Sequence, residues 1–310
     1  MKVINNVSAI PKSLYGSYLA LGNFDGVHKG HQQLIKRCIS LASQNKCKSV
    51  VVTFHPHPQF VLQNNKLEGL LTTRKVKEKI LSNLQVDFAV FLPFSKKMAA
   101  LSPEAFVTNV LMEYFKPQGI VIGFNYTFGK DGIGNKDKLK EIGEEFGFQV
   151  ETVPPVYING EIVSSSLIRE KIKNGNITMA KNYLGYYPCL FGKVVSGEKR
   201  GRELGFPTAN ILPEHQALLP KHGVYSTQIE IDGEKYYSIT NVGIKPTFGK
   251  YETSVETHIL NFSGDIYNKQ VNLNFIERLR DEQRFSSKEE LITQIKKDIE
   301  KARISFSCVK

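Results

Sequence analysis

The sequence is poor in cysteine and arranges none of what it has for cross-linking: the 310 residues hold four cysteines, at 38, 47, 189 and 308, and no CxxC pair. That spacing argues against a disulfide framework and a structural zinc site, and a reducing cytoplasm is the expected setting. Long apolar runs are missing as well. No stretch approaches the ~18 residues a spanning helix needs, which excludes an integral membrane protein. The opening MKVINNVSAIPKS carries its apolar residues in ones and twos, without the continuous apolar segment of a secretory signal, so no export is expected. There are no internal repeats and no low-complexity tract. A Walker A phosphate loop is also lacking: the nearest string, GIKPTFGK at 243–250, has five residues between its glycines and is followed by Tyr251 instead of Ser or Thr.

What is present is an ordinary globular composition with an uncommon charge. Hydrophobic residues make up 41% and charged residues 23% of the chain, with a mean hydropathy of −0.24, which excludes a disordered or fibrous protein. The length is about twice the ~150-residue prior for one domain, so two domains are expected, each able to bury a core. Lysine and arginine number 41 against 30 acidic residues, for a net charge of +11 and a pI of about 9.3. Such an excess points to an anionic partner or to a solvated lysine-rich surface. It is unevenly spread: residues 1–184 hold 23 basic and 14 acidic side chains, residues 185–310 hold 18 and 16. A nucleic-acid-binding protein is the rival that charge alone suggests. Against it, the first half has only three arginines (Arg37, Arg74, Arg169), no helix-turn-helix or RNP-like string, and no run of five or more Lys/Arg.

The first half alternates β-rich runs with amphipathic stretches, and strands are expected at 18–21, 49–54, 86–92 and 119–123. Leu34, Ile35, Cys38, Leu41 and Ala42 recur at helical spacing after a glycine-rich turn. Ser102, Pro103 and Glu104 supply an N-cap, an N1 proline and an acidic first turn for a helix reaching about residue 115. Strands joined by crossover helices predict an α/β domain with a doubly wound parallel sheet, whose ligands sit beyond the strands' C-terminal ends. After about residue 184 short alternating segments at 223–231, 235–241, 254–262 and 270–275 are separated by turn signals, Asp232 with Gly233 among them. That pattern predicts an antiparallel β-barrel or sandwich. Ser286 and Ser287 ahead of Glu289 and Glu290 open a closing helix, with Leu291, Ile292, Ile295 and Ile299 on one face. Domains are therefore expected at 1–184 and 185–310.

The string GNFDGVHKGH, residues 22–31, follows a predicted strand and opens a predicted helix, where backbone N–H groups and the helix dipole favour phosphate. Gly22, Gly26 and Gly30 permit close backbone approach, and His28 and His31, three residues apart, turn toward one site. Two imidazoles there can hydrogen-bond phosphate oxygens and stabilise developing charge. A structural turn or a metal pair are the other readings, although two histidines without a nearby third ligand make a poor zinc site. Ser164, Ser165 and Ser166, with Arg169 on a helix expected at 167–172, can converge on an anion or simply cap that helix. In PTAN, residues 207–210, Thr208 and Asn210 face the same way on an extended segment and can ligate Mg²⁺, or form a turn before a strand. Within 254–262, Glu256, His258 and Leu260 face away from Val255, Thr257, Ile259 and Asn261. A carboxylate there among apolar neighbours would have a raised pKa suited to a general base; a solvent-facing Glu is the alternative. Gly201 between Arg200 and Arg202 looks like a phosphate loop of another kind.

Residues 22–31 resemble the GxFDGxHxGH motif of the HxGH nucleotidyltransferase superfamily, and the whole chain resembles the bacterial bifunctional riboflavin kinase/FAD synthetase family. TFHPHP (53–58), GFNYTFG (123–129) and SSSLIR (164–169) come in that family's order in the first half, as do GRELGFPTANI (201–211), NVGIKPTFG (241–249) and VETHILNF (255–262) in the second. Six blocks in one order cover nearly the entire chain. The middle or last serine of SSSLIR is usually threonine in the family, a swap that keeps the hydroxyl.

The resemblance implies a bifunctional transferase. Residues 1–184 would adenylylate FMN, whose phosphate attacks the α-phosphorus of ATP in line to give FAD and pyrophosphate. Residues 185–310 would phosphorylate riboflavin, with Glu256 as the base that takes the 5′-hydroxyl proton. It also implies that His28 and His31 stabilise the α-phosphate; that Gly22, Phe24, Asp25, Gly30, Asn125, Ser164, Ser165, Ser166 and Arg169 bind ATP in the first half; and that Gly201, Arg202 and Pro207 do so in the second. Thr208 and Asn210 would hold Mg²⁺. Pro56 and Pro58, read as an extended donor-poor wall, would pack the flavin ring with Phe60 and Phe128. The partners implied are riboflavin, FMN and ATP, with no membrane and against nucleic acid; self-association stays open. The surplus charge of the first half then fits small phosphorylated ligands.

Overall fold

The computed structural model describes residues 1–62, 68–197, 201, 204–247 and 250–307. By contact the chain divides into two compact units, Met1–Glu68 with Lys77–Ser164 and Gly69–Val76 with Ser165–Lys310.

In the first unit, β1 (Lys2–Ile4), β2 (Tyr18–Leu21), β3 (Ser49–His55), β4 (Phe88–Pro93), β5 (Gly119–Gly123) and β6 (Gln149–Val153) form one sheet in the order β1-β4-β3-β2-β5-β6. Every neighbouring pair is parallel. The strands read as continuous apolar runs because both faces are covered. Leu19, Val50, Val52, Ile120 and Ile122 enter one core cluster, while Ala20, Val51, Ala89 and Val121, the alternate residues of the same strands, enter another. The helix α1 (Lys29–Gln44) closes the second face with Leu34, Ile35, Cys38 and Ala42, and α2 (Pro58–Leu62) and α3 (Arg74–Asn83) follow β3. On the other face, Ser102 Oγ accepts from the Ala105 N–H at 3.1 Å, and the helix it caps runs from Pro103 through a π-helical stretch, Val107–Met112. The sheet is the doubly wound one expected. Its strand order reverses at β2 and β5, and the crevice at that switch point is where such sheets take ligands.

The second unit holds a closed barrel, in the order β10-β13-β12-β11-β14-β9, with every neighbouring pair antiparallel. After the short pair β7 (Tyr157–Ile158) and β8 (Glu161–Ile162) of the first unit, the barrel strands are β9 (Cys189–Val195), β10 (Thr208–Pro213), β11 (Gly223–Ile231), β12 (Glu234–Thr247), β13 (Lys250–Ile259) and β14 (Gln270–Arg280). Asp232 (φ 52°) and Gly233 (φ 89°) both sit in the left-handed region, the two-residue turn that joins β11 to β12 with Ile231 opposite Glu234. Inward residues such as Tyr225, Ile229, Val242, Val255, Ile259 and Leu273 fill the barrel. Among them runs a buried chain of hydroxyls. Thr227 Oγ1 lies 2.8 Å from both Ser238 Oγ and Thr240 Oγ1, and Thr240 Oγ1 lies 2.9 Å from Thr257 Oγ1. Each satisfies the next, which is what makes polar side chains tolerable in that core. Two helices, residues 165–173 and 177–184, precede the barrel on the N-terminal side of the expected boundary and group by contact with the second unit.

The closing helix, Lys288–Ser307, starts as expected, with Ser287 Oγ accepting from the Glu290 N–H at 3.2 Å. Ile299 of the expected face packs against Val224, Ile239, Ile276 and Leu279, but full burial falls nearer the C-terminal end of the helix. The buried residues are Asp298, Ala302, Ser305 and Phe306, whereas Leu291, Ile292 and Ile295 are only half-buried. Arg280 of β14 explains the shift: its Nε donates to both Asp298 oxygens at 3.0 Å and its Nη2 to Oδ2 at 2.8 Å, with the two side chains 16% and 6% exposed. A charge pair anchors the helix, and apolar periodicity does not register it. Removing one partner leaves the other buried and uncompensated, so Asp298→Ala is expected to lower stability in urea by about 3 kcal/mol. A loss below about 1 kcal/mol, the range of a surface pair, would contradict this role.

Candidate functional sites

At the switch point the chain leaves β2 and turns through residues 22–28 into α1. His28 is the N-cap of that helix, its Nδ1 accepting from the His31 N–H at 3.3 Å. The two imidazoles, brought together as the spacing predicted, stack with ring centroids 3.6 Å apart at 18°. A Cβ at Gly30 would lie 3.2 Å from His28 Cε1, closer than ordinary contact, so a side chain there would crowd the stack. The Val163 carbonyl is 3.9 Å from the same point, so the chain just before Ser164 returns to this helix start. Gly26 takes a φ of 82°, and Phe24 (φ 46°) and Val27 (φ 31°) share the left-handed region although neither is glycine. Both of these side chains are fully buried and lock the loop. Phe24 is expected beside ATP, and its own ring does not face outward. Its ring lies beneath the loop, edge-on to His31 at 5.3 Å, and only its backbone is placed to meet a nucleotide.

Burial pushes His28 down to about 4, against the pull of the neighbouring Asp25 carboxylate. His31 is held well below the usual histidine range by burial, by His28 and by the charge of Lys77. Both rings are thus neutral at pH 7. Because His28 Nδ1 accepts a hydrogen bond, its proton is assigned to Nε2, which is left as a donor.

Lys77 was not singled out from the sequence. It sits on α3 (Arg74–Asn83), 5% exposed, and its Nζ donates to the Asn23 carbonyl at 2.7 Å. Thr53 Oγ1, from β3, donates to the same carbonyl at 3.0 Å. The available signal was position: Ile80 and Leu81 follow at three and four residues, which puts Lys77 on the apolar face of its helix.

Asn125 follows β5. Its Oδ1 lies 3.6 Å from where a Gly123 Cβ would stand, with Leu34 of α1 at 3.8 Å, which puts the side chain beside that helix. Asp25 is buried. Pro56 and Pro58 do not form an extended wall, because Pro58 opens a short helix, Pro58–Leu62, started by the Phe60 N–H donating to the His57 carbonyl at 3.0 Å. Phe60 is half-buried, with its ring 6.3 Å from that of His57. Phe128 is 6% exposed and packs on Phe106 and Tyr126, with ring centroids 5.8 Å away in each case.

In the second unit, Ser165 and Ser166 lie in the first turn of the 165–173 helix, which begins two residues earlier than expected, and Arg169 Nε donates to the Gly69 carbonyl at 3.0 Å. On the barrel, Ala209 and Ile211 turn inward, so Thr208 and Asn210 share the outer face. Register sets Thr208 opposite His258 and Asn210 opposite Glu256, while Asn241 of β12 flanks Glu256 from the other side. The cross-strand neighbours of Glu256 are carboxamides, not the apolar side chains expected. Asn241 Nδ2 donates in turn to Glu282 Oε1 at 3.4 Å. His258 Nδ1 pairs with the Pro207 carbonyl at 2.8 Å, which ties the PTAN segment to β13. A Cβ on Gly201 would meet the Phe206 carbonyl oxygen at 2.4 Å and Thr208 Oγ1 at 3.3 Å, so the glycine allows this loop to close. Arg202 lies outside the described residues. His258 stands in the 255–262 block without an assigned role and Glu282 outside every block; strand register sets the first opposite Thr208, and the bond from Asn241 brings in the second.

A parallel sheet with two neutral imidazoles at the helix start of its switch point, followed by a barrel with hydroxyl, carboxamide and carboxylate on one outer face, defines a two-domain transferase for phosphorylated substrates. Comparison with known proteins agrees. A family model described as FAD synthetase matches residues 10–167 and one described as Riboflavin kinase matches residues 184–306. The bifunctional riboflavin kinase/FMN adenylyltransferase of Listeria monocytogenes is 36% identical over 93% of this chain and 92% of its own. Its namesake from Buchnera aphidicola of Schizaphis graminum is 33% identical over 100% of both chains. The chain belongs to the bifunctional riboflavin kinase/FMN adenylyltransferase family. A crystal structure described as a macrolide-efflux protein from Streptococcus pneumoniae shares the fold, with a TM-score of 0.89 at 32% identity over 98% of this chain and 99% of that one. Among the described residues of this chain no helix is long and apolar enough to cross a membrane.

Proposed function

We propose that this chain makes FAD from riboflavin in two Mg²⁺-assisted transfers from ATP, at one site on each functional half, divided at 184/185. The match of the riboflavin kinase family from residue 184 supports that division. The first half is the FAD synthetase, in which the FMN phosphate displaces pyrophosphate from the α-phosphorus of ATP; the second is the kinase that supplies FMN.

The assignment of the adenylyl site stands on the stacked, neutral His28/His31 pair. An FMN phosphate is already an anion and needs no general base. What the reaction needs is donors fixed where charge develops, and imidazoles with depressed pKa values stay neutral donors across the neutral range. His28 and His31 would meet the α-phosphate, with the backbone of residues 22–30 and Asn125 beside them. Ser164, Ser165, Ser166 and Arg169 would hold the rest of the triphosphate, and Pro56, Pro58, Phe60 and Phe128 would border the flavin.

In the barrel, riboflavin offers a neutral hydroxyl, so a proton acceptor is required. Glu256 is the proposed base, and the loop from Gly201 to Pro207 would receive the nucleotide. Thr208 and Asn210 fit a hard cation, since both present oxygen donors from one face of β10. When bound, Mg²⁺ neutralises charge on the ATP phosphates. Substrates of this kind suit the cytoplasm. Incubation with riboflavin and Mg-ATP is expected to give FMN first and FAD after it by chromatography; FMN that is never converted would overturn the adenylyl half of the proposal.

A further inference from the structure

The proposed adenylyl site contains a buried cation to which no role has been given. Lys77 Nζ and Thr53 Oγ1 both donate to the Asn23 carbonyl, at 2.7 and 3.0 Å, and so fasten the phosphate loop to α3 and β3. An ammonium has three donors, and burying one is costly unless its charge is used. Two titratable groups act on it or feel it. Asp25, in the same loop, favours its charged form, and Lys77 in turn helps to keep His31 unprotonated. His31 Nδ1 is itself buried, with no hydrogen-bond partner among the described residues. The loop therefore carries two neutral imidazoles, and the fixed positive charge behind them comes from α3.

We propose that Lys77 is a positioning residue for adenylyl transfer: it clamps the Asn23 carbonyl and so holds the loop that carries the His28/His31 pair aligned toward the α-phosphate. The proposal rests on the adenylyl site described above. Burial pushes Lys77 down to about 8, so its charge, and with it the charge-assisted strength of its bond to the Asn23 carbonyl, is lost as pH rises through that value. FAD formation by the unaltered protein should accordingly show a falling alkaline limb in kcat/KM near pH 8.

The test compares Lys77→Met and Lys77→Arg with the unaltered chain, using FMN and Mg-ATP across pH 6 to 10. Circular dichroism melting of the same preparations reports on folding of the first unit, and riboflavin phosphorylation on that of the second. Lys77→Met should lower kcat about 100-fold with KM for FMN changed by less than about threefold, and should lack the alkaline limb. Lys77→Arg, which stays charged throughout, should recover most of kcat and move the limb above the range tested. Should Lys77→Met lose phosphorylation as well, the Arg profile decides: a limb that stays near pH 8 overturns the proposal, and one that moves upward supports it. An unaltered chain that makes no FAD contradicts the adenylyl site itself. An active one whose Lys77→Met variant keeps kcat and pH profile contradicts only the part assigned to Lys77.

Discussion

Replacing Glu256 with glutamine is expected to lower FMN formation from riboflavin by about 10³-fold, the range over which a positioned base contributes. Glutamine keeps the shape and the hydrogen-bonding reach of the side chain while removing its basicity. Its neighbours should not rearrange, because Asn210 and Asn241 flank residue 256 across the two strand pairings and can hydrogen-bond either side chain. The loss should fall on kcat, since riboflavin and ATP meet the same surface. FAD formation from supplied FMN should stay within about twofold, because that reaction begins from an anionic nucleophile. If FMN formation falls by less than tenfold, Glu256 is not the base. Glu282, the carboxylate bonded to Asn241, is then the next residue to examine.

The second large effect is at His28. Replacement by alanine is expected to lower FAD formation by about 10²- to 10³-fold, as for loss of one donor to a developing oxyanion, and to spare riboflavin phosphorylation. The side chain has two functions that have to be separated, because its Nδ1 also caps α1. A lost cap alone costs only about 1 kcal/mol, and asparagine is among the best N-caps. His28→Asn should therefore restore the helix start but not the rate. Full rescue by asparagine would show that His28 acts as a cap only. The pH dependence separates them further. With His28 pushed down to about 4, its protonation should leave kcat/KM flat between pH 5.5 and 7.5, and an acidic limb with a midpoint near 6.5 would contradict the buried, neutral ring.

Much of this was legible in the sequence because it depends on local spacing. The loop at 22–31 declares its strand, its turn and its helix, and two histidines at i and i+3 on a helix start have little choice but to meet. Thr208 and Asn210 share a face because alternation on a strand leaves no other arrangement. What escaped depends on tertiary partners. Phe128 reads as a ligand aromatic in its motif, and that its ring also packs against Phe106 depends on a residue from another element. Lys77 is one of several lysines in RKVKEK until α3 packs it against the Asn23 carbonyl. Asp298 looks like a solvent residue until Arg280 is found opposite it. The neighbours of Glu256 follow from the register of three strands, which alternation within one strand does not determine.

The central claim is that two sites, each with its own residues, act in succession on one flavin. It is tested most directly by mixing the Glu256→Gln and His28→Ala proteins and following FAD formed from riboflavin and Mg-ATP. Neither variant alone should make FAD from riboflavin, since the first lacks FMN and the second cannot adenylylate it. The mixture should make FAD, with FMN released by one protein and consumed by the other. A mixture that accumulates FMN without FAD, or makes neither, would contradict the division of the two reactions between His28 and Glu256.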